Sequence, residues 1–188
     1  MATTIESSLT EHLATIELVR EQLQPVIAEV AGKLSTVLKS GGKMLICGNG
    51  GSAADAQHFA AELVGRFEKE RKGLPAIALT TDTSSLTAIG NDYGFSRLFS
   101  RQVEALATSA DVLIGISTSG NSENVLQAMK RAKELGCTTC GLTGRDGGSI
   151  AEEADLNINV SVQRTARVQE AHLTILHILC ELIEADMT

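Results

Sequence analysis

From Gly41-Gly42 onward the chain alternates short apolar runs with stretches whose apolar residues recur at helical spacing, and no other feature narrows the possible folds so far. Met44–Cys47, Ala76–Leu79, Val112–Ile116, Thr139–Leu142 and Leu156–Val162 read as strands. Helical spacing runs from the glycine-rich loop after Cys47 to about Phe67, then up to about Ala107, then from Asn121 to Leu135, and a last helix covers about Ala166 to Asp186. Strands that are apolar at successive positions are buried on both faces, as in a parallel sheet covered by its crossover helices. The expected fold is α/β and doubly wound, a mostly parallel five-stranded sheet flanked by helices in a single domain over 1–188. In such a sheet ligands bind beyond the carboxyl ends of the strands, which directs attention to the loops after Cys47, Leu79, Ile116 and Leu142.

Two further helices precede the alternation. Leu9, Leu13, Ile16, Val19 and Leu23 mark one, and Val26, Val30, Leu34, Val37 and Leu38 mark the other, with Pro25 between them. They have no strand of their own to cover, and the last helix is apolar around much of its circumference. Self-association would bury these faces, so residues 1–41 are expected to serve oligomer packing around a 42–188 core.

Sixteen basic against 23 acidic side chains give a formal charge of -7, which disfavours a nucleic-acid partner held by phosphate contacts. No run of about 18 apolar residues suggests a membrane span, and the first residues lack the basic and apolar regions of a secretory leader, so a cytoplasmic location is expected. Of the four cysteines, Cys137 and Cys140 have metal or redox spacing, but no second pair accompanies them and the segment reads as a strand; a structural role is expected.

Two loops carry chemistry. Gly48-Asn49-Gly50-Gly51-Ser52-Ala53 joins a strand to a helix and formally matches G-x-G-x-x-A, with glycines that let backbone N–H groups approach a ligand. The acidic residue that a dinucleotide site wants at the end of the next strand is absent, so no nucleotide cofactor is expected. Ser117-Thr118-Ser119-Gly120-Asn121-Ser122 lies between a buried strand and a helix N-terminus, with four hydroxyls where a cap by Ser119 or Asn121 would need one. That loop reads as a phosphate site without a lysine.

On the helix after the first loop, His58, Glu62 and Arg66 share a face apart from the buried stripe, with metal-ligand spacing between the first two; a solvated face with a Glu62–Arg66 pair is the plain alternative. On the last helix Glu170, Thr174, His177 and Glu181 form a narrow polar stripe, with Gln169 and His172 away from it.

Assembled, these segments resemble the sugar isomerase (SIS) domain family, and its phosphoheptose isomerases in particular, over essentially the whole chain. The resemblance rests on CGNGGSAADAQHFAAEL from Cys47, IGNDYGF from Ile89, ISTSGNS from Ile116, LTGRDGG from Leu142 and RVQEAHLTILH from Arg167. It implies a flavodoxin-like sheet and conversion of sedoheptulose 7-phosphate to D-glycero-D-manno-heptose 7-phosphate, toward the heptose of lipopolysaccharide or surface glycans. It also implies a homotetramer with active sites between subunits and one zinc ion per subunit. By the same resemblance Glu62 and His177 are the catalytic pair, and His58, Glu62, Gln169 and His177 the zinc ligands. Substrate contacts fall on Asn49, Gly50, Gly51, Ser52, Glu62, Arg66, Asn91, Asp92, Ser117, Thr118, Ser119, Ser122 and Gln169.

The chemistry agrees, because aldose–ketose exchange needs one group to move a proton between carbons and another to move protons on oxygens. Glu62 is expected to take the carbon proton and His177 to serve the oxygens; a Glu62 bound to metal is not a free base, so its two roles compete. Gln169 and His177 stand about 12 Å apart along one helix, so both reach one ion only if stretched or if they belong to different subunits. Two other readings remain: a non-catalytic relative that binds the bacterial replication initiator, similar around QHFAA and LTAI, and an isomerase of another phosphosugar.

Overall fold

All five strands expected from the apolar runs form in the computed structural model, which describes residues 2–188. They are β1 Met44–Gly48, β2 Ala76–Ala78, β3 Val112–Ser117, β4 Thr138–Gly144 and β5 Leu156–Val160. Their order is β2-β1-β3-β4-β5 and every pairing is parallel. Among the described residues the eight α-helices are α1 Ala2–Leu18, α2 Gln24–Lys39, α3 Gly51–Val64, α4 Thr83–Tyr93, α5 Ser100–Leu106, α6 Glu123–Glu134, α7 Gly148–Glu153 and α8 Thr165–Met187.

Alternate strand residues feed two cores, as the two-residue period of a strand dictates. Met44, Ile46, Ile114 and Ile158 pack with Leu34, Phe59 and Ile175 of α2, α3 and α8. Leu45, Cys47 and Leu113 pack on the opposite face with Val103, Met129 and Ile150 of α5, α6 and α7. Both faces are thus covered, which is why the strands need no polar alternation.

Several boundaries differ from the sequence reading for local reasons. The stretch expected to be helical up to Ala107 divides into α4, a 3₁₀ turn Phe95–Arg97 and α5, because Gly94 takes a φ of 82° and ends α4. Helix α3 stops at Val64 and leaves Phe67 in the following segment. Six-residue α7 is too short to show a period. At the N-terminus Pro25 does not separate the two helices; a π turn over Val19–Leu23 connects them. Proline has no N–H for the carbonyl four residues back, and the wider turn carries the chain through.

Neither N-terminal helix lacks a partner within its own subunit, for α1 lies against α8, where His12 Nδ1 stands 2.8 Å from Glu170 Oε2. Helix α2 buries Ile27, Val30, Leu34, Val37 and Leu38 against the sheet and α8. By contrast the only buried residue of α1 is Thr15, and Ile5, Leu9 and Leu13 are 57–69% exposed. No helix among the described residues is long and apolar enough to cross a membrane. All four cysteines are free and buried; burial pushes the Cys140 thiol up to about 12, and Cys137 Sγ donates to the Thr108 carbonyl at 3.0 Å, so the Cys137/Cys140 spacing is structural.

Candidate active site

The sheet order turns at β1 and β3, since the chain builds outward to β2 on one side and to β4 and β5 on the other. The loops that follow these two strands lead to helices on opposite faces of the sheet, α3 on one and α6 on the other, the arrangement in which ligands bind beyond the carboxyl ends of the strands. In the first loop Gly50, at φ 55° and ψ -119°, starts α3, a conformation open to glycine. Gly51 is required by proximity: a Cβ there would lie 1.9 Å from the Gln169 amide nitrogen, so the Gln169 side chain rests on the backbone of this loop. Asn49 is committed sideways, its amide exchanging two hydrogen bonds with Asn124 at 2.8 and 2.9 Å, which fastens the loop to the first turn of α6.

In the second loop the helix cap falls on Ser122, not on Ser119 or Asn121, and its side chain makes no capping bond. The hydroxyls hold one another: Ser117 Oγ lies 2.8 Å from Ser122 Oγ and 3.3 Å from Ser119 Oγ. No side chain satisfies the first amides of α6, so the helix presents hydroxyls and N–H donors together to an anion. Gly120, at φ 68°, packs so closely on Gly147 that a Cβ would stand 2.1 Å from its carbonyl oxygen, and its own carbonyl accepts from Ile150 N–H at 2.9 Å. The loop is therefore braced by the chain leaving β4.

Helices α3 and α8 lie side by side and run in the same direction. Gln169 meets Gly51, His177 meets His58, and Glu184 meets the residues after α3, a nearly constant offset along the two helices. At the middle crossing His58 Nε2 and His177 Nε2 are 2.8 Å apart, a hydrogen bond that one imidazole donates and the other accepts. Glu62 Oε1 stands 3.6 Å from the same His58 nitrogen. Glu62 and His177 thus share one imidazole between them, in a partly exposed position: the side chain of Glu62 is 25% exposed and that of His58 42%.

Among the described residues no set of three or more histidine, cysteine or carboxylate groups cages an ion; His58 meets His177 and Glu62 at 2.8 and 3.6 Å without forming such a cage. Two nitrogens and a carboxylate oxygen are donors that zinc accepts. Ligands about 2.0–2.1 Å from one tetrahedral ion stand about 3.3 Å apart, so the histidine contact at 2.8 Å has to open by about half an ångström. The donor chemistry fits zinc. Gln169 is not with this group, because its amide rests on Gly51, two turns of α3 and about 10 Å from His58.

Other expected site residues stand apart from the two loops and the histidines within this chain. Asn91 Nδ2 donates to Asp92 Oδ1 at 2.7 Å, both exposed at the end of α4, which has no buried residue at all. Arg66 pairs with Glu70 at 3.8 Å, not with Glu62.

His172 turns inward. It is fully buried, its Nε2 donates to the Thr143 carbonyl at 2.9 Å, and burial lowers its pKa to about 4; it is a neutral structural histidine. Asp55, on the same face of α3 as Gly51 and His58, is 6% exposed with Oδ2 unpartnered. Burial raises its carboxyl to about 6, and nearby His58 only partly opposes this.

Sequence reasoning missed Asn124, Asp55 and Phe67, whose ring centroid lies 5.6 Å from that of His177. It also missed Arg71 and Glu184, which close the far end of the pair. The match of Asn49 to Asn124 and of α3 to α8 joins residues far apart in the chain, and no spacing pattern reports it.

Residues 9–144 match the SIS domain family. The phosphoheptose isomerase of Geotalea daltonii is 61% identical over 180 residues, covering 96% of this chain and 94% of that one. Among solved structures, the phosphoheptose isomerase from Francisella tularensis superposes with a TM-score of 0.95 at 41% identity. The phosphoheptose isomerase from Neisseria gonorrhoeae gives 0.93 at 47%. Each of these two covers 98% of both chains.

Proposed function

The chain belongs to the SIS domain family and, within it, to the phosphoheptose isomerases, and from that premise we propose that it isomerises sedoheptulose 7-phosphate to D-glycero-D-manno-heptose 7-phosphate. The observation that carries this reading is the meeting of Glu62 and His177 on one imidazole in a fold whose loops after β1 and β3 are shaped for a phosphate. In the forward direction Glu62 takes a proton from C1 of the ketose to leave a cis-enediol and returns it to C2. His177 moves the hydroxyl protons so that the carbonyl passes from C2 to C1. Ser117, Thr118, Ser119 and Ser122 hold the phosphate with the first amides of α6, and Gly50 to Ser52 the adjacent oxygens. The product would feed heptose synthesis for lipopolysaccharide or surface glycans in the cytoplasm.

His58, Glu62 and His177 would hold a zinc ion, which when bound would polarise the carbonyl and offset enediolate charge. A neighbouring subunit completes each site in this reading. Support comes from Asn91 and Asp92, exposed on a helix that packs on little, and from Gln169, about two turns away from the ligands it is expected to join. The exposed stripe of α1 and an apolar groove between the π turn, α2 and α8, lined by Ile16, Val19, Ile27, Ile178 and Leu182, are the surfaces on which a homotetramer would pack.

Proton NMR of sedoheptulose 7-phosphate in D₂O tests this reading. Wild-type protein should form the aldose with deuterium at C2, and Glu62→Ala and His177→Ala should not; full activity in either variant removes the mechanism. Chelation with verified metal removal tests zinc, which unchanged activity would reduce to an adventitious ion. Mixed tetramers of Gln169→Ala and His177→Ala test sharing: activity returns only if the two residues reach one site from different chains.

A further inference from the structure

Beyond the groups that meet substrate, a single buried ion pair touches the supports of both. Arg71 and Glu184 are almost completely buried, their side chains 5% and 3% exposed. Arg71 Nη2 donates to the Glu62 carbonyl at 2.9 Å, and Nη1 to the Leu63 carbonyl at 2.9 Å. These are last-turn carbonyls of α3 that have no partner within the helix, so the guanidinium ends α3 at the turn that carries Glu62. Its Nε stands 3.0 Å from Glu184 Oε1, a charge contact not aligned as a hydrogen bond.

Glu184 in turn accepts three successive backbone N–H groups, from Phe67 at 3.2 Å, Glu68 at 2.9 Å and Lys69 at 2.7 Å, an anion nest. Although burial opposes it, these amides and Arg71 hold the carboxyl below the ordinary range. The first of those amides belongs to Phe67, whose ring packs on His177. One side of the pair therefore fixes the backbone of Glu62, and the other fixes the aromatic wall of His177.

We propose that Arg71 and Glu184 are positioning residues for the isomerisation, holding the carboxylate and the imidazole in mutual register while touching neither substrate nor phosphate. This rests on the reading of Glu62 and His177 as the acid–base pair. An exposed salt bridge in the same region would not do this, because a surface pair leaves its partners free to move; a buried pair bonded to seven backbone groups does not. Misplacement of a reacting group by about 1 Å can lower the rate about 100-fold.

The test uses Arg71→Lys, which keeps the charge and loses the forked donor, and Glu184→Gln, which keeps the shape and loses the charge. Each should lower kcat by about 30- to 100-fold and change KM less than about threefold, because the phosphate loops are at the other end of the helices. The double variant should fall about as far as either single, not to the product of the two losses. Asp186→Asn, which removes an exposed pair with Lys39 at 2.7 Å on the same helix end, should leave kcat within about twofold.

Phe67→Leu leaves the ion pair and the nest intact and removes only the ring on His177; it should lower kcat about five- to tenfold with KM unchanged, and it decides the matter if the charged variants do not fold. Folded variants that lose thermal stability yet keep kcat within twofold would overturn the proposal. A wild-type protein inert toward sedoheptulose 7-phosphate would instead remove the functional reading. The proposal would then stand or fall on the imidazole carbon–proton NMR signals of His177, which should move in Arg71→Lys and Phe67→Leu and stay in Asp186→Asn.

Discussion

At the Gly51 end of the α3–α8 pair, contacts are made by backbone and by amide and hydroxyl groups, whereas from His58 onward they are made by imidazole, carboxylate and guanidinium. The loop end carries Gly51 under Gln169, the Asn49–Asn124 amide pair and the serine cluster. These backbone, amide and hydroxyl groups do not titrate near neutral pH, and the shape of this end comes from positions where a Cβ does not fit. The far end carries the His58–His177 contact, Glu62 and the Arg71–Glu184 pair. An anion is held by fixed donors, while proton transfer needs groups that change charge and must be aimed; the two tasks call for different materials. Loss of the first should appear mainly in binding and loss of the second mainly in turnover.

The largest test of that division is at the far end. Glu62→Gln and His177→Gln should each lower kcat by about a thousandfold with KM within about threefold in steady-state kinetics; an equal rise in KM would merge the two regions into one. Next, Gly51→Ala should lower kcat/KM about 10- to 100-fold in a folded protein, since the new methyl displaces the Gln169 amide. Ser119→Ala should raise KM about tenfold and leave kcat within about threefold, the mirror image of the Glu62 result.

The smallest effect concerns Asp55, which lies between the two ends on α3. Its folded carboxyl is raised to about 6, so its contribution to stability is full below the unfolded value near 4 and is lost as pH rises through 6. Asp55→Asn should therefore stabilise the fold by about 1–2 kcal/mol at pH 7.5 and by little at pH 4, measured by denaturant unfolding at both. His172 acts in the opposite sense. Its folded pKa of about 4 means stability present above the unfolded value near 6.5 and lost on acidification toward 4, so Asp55→Asn should also steepen acid destabilisation between pH 6 and 4.

The sheet was legible because five strands buried on both faces leave a mark that one-dimensional patterning records, down to the two-sided cores of Met44 with Ile46 and Leu45 with Cys47. The loop end was legible for a related reason: glycines and serines crowded between a strand and a helix reveal a local shape. Of the far end only half could be read. His58 and Glu62 are one turn apart on α3, but their meeting with His177 depends on a helix pairing across more than half the chain. His172 and His177 are the same residue type on one helix, and five residues of rotation send one into the sheet and the other to the site. Arg71 and Glu184 look like members of charged surface stretches, and only the fold shows them buried. The N-terminal helices misled because a missing strand suggested a missing partner, whereas α2 covers the sheet that the later strands form.

The π turn at Val19–Leu23 amounts to one residue more than an unbroken α-helix through that point would hold. Deleting a single residue there would restore a uniform ladder and leave the segments on either side in nearly the same phase. Ile5, Leu9 and Leu13 would then keep the direction in which they are exposed now. A one-codon change in the π turn is thus absorbed locally, whereas the same change within α1 would turn its exposed stripe by about 100°.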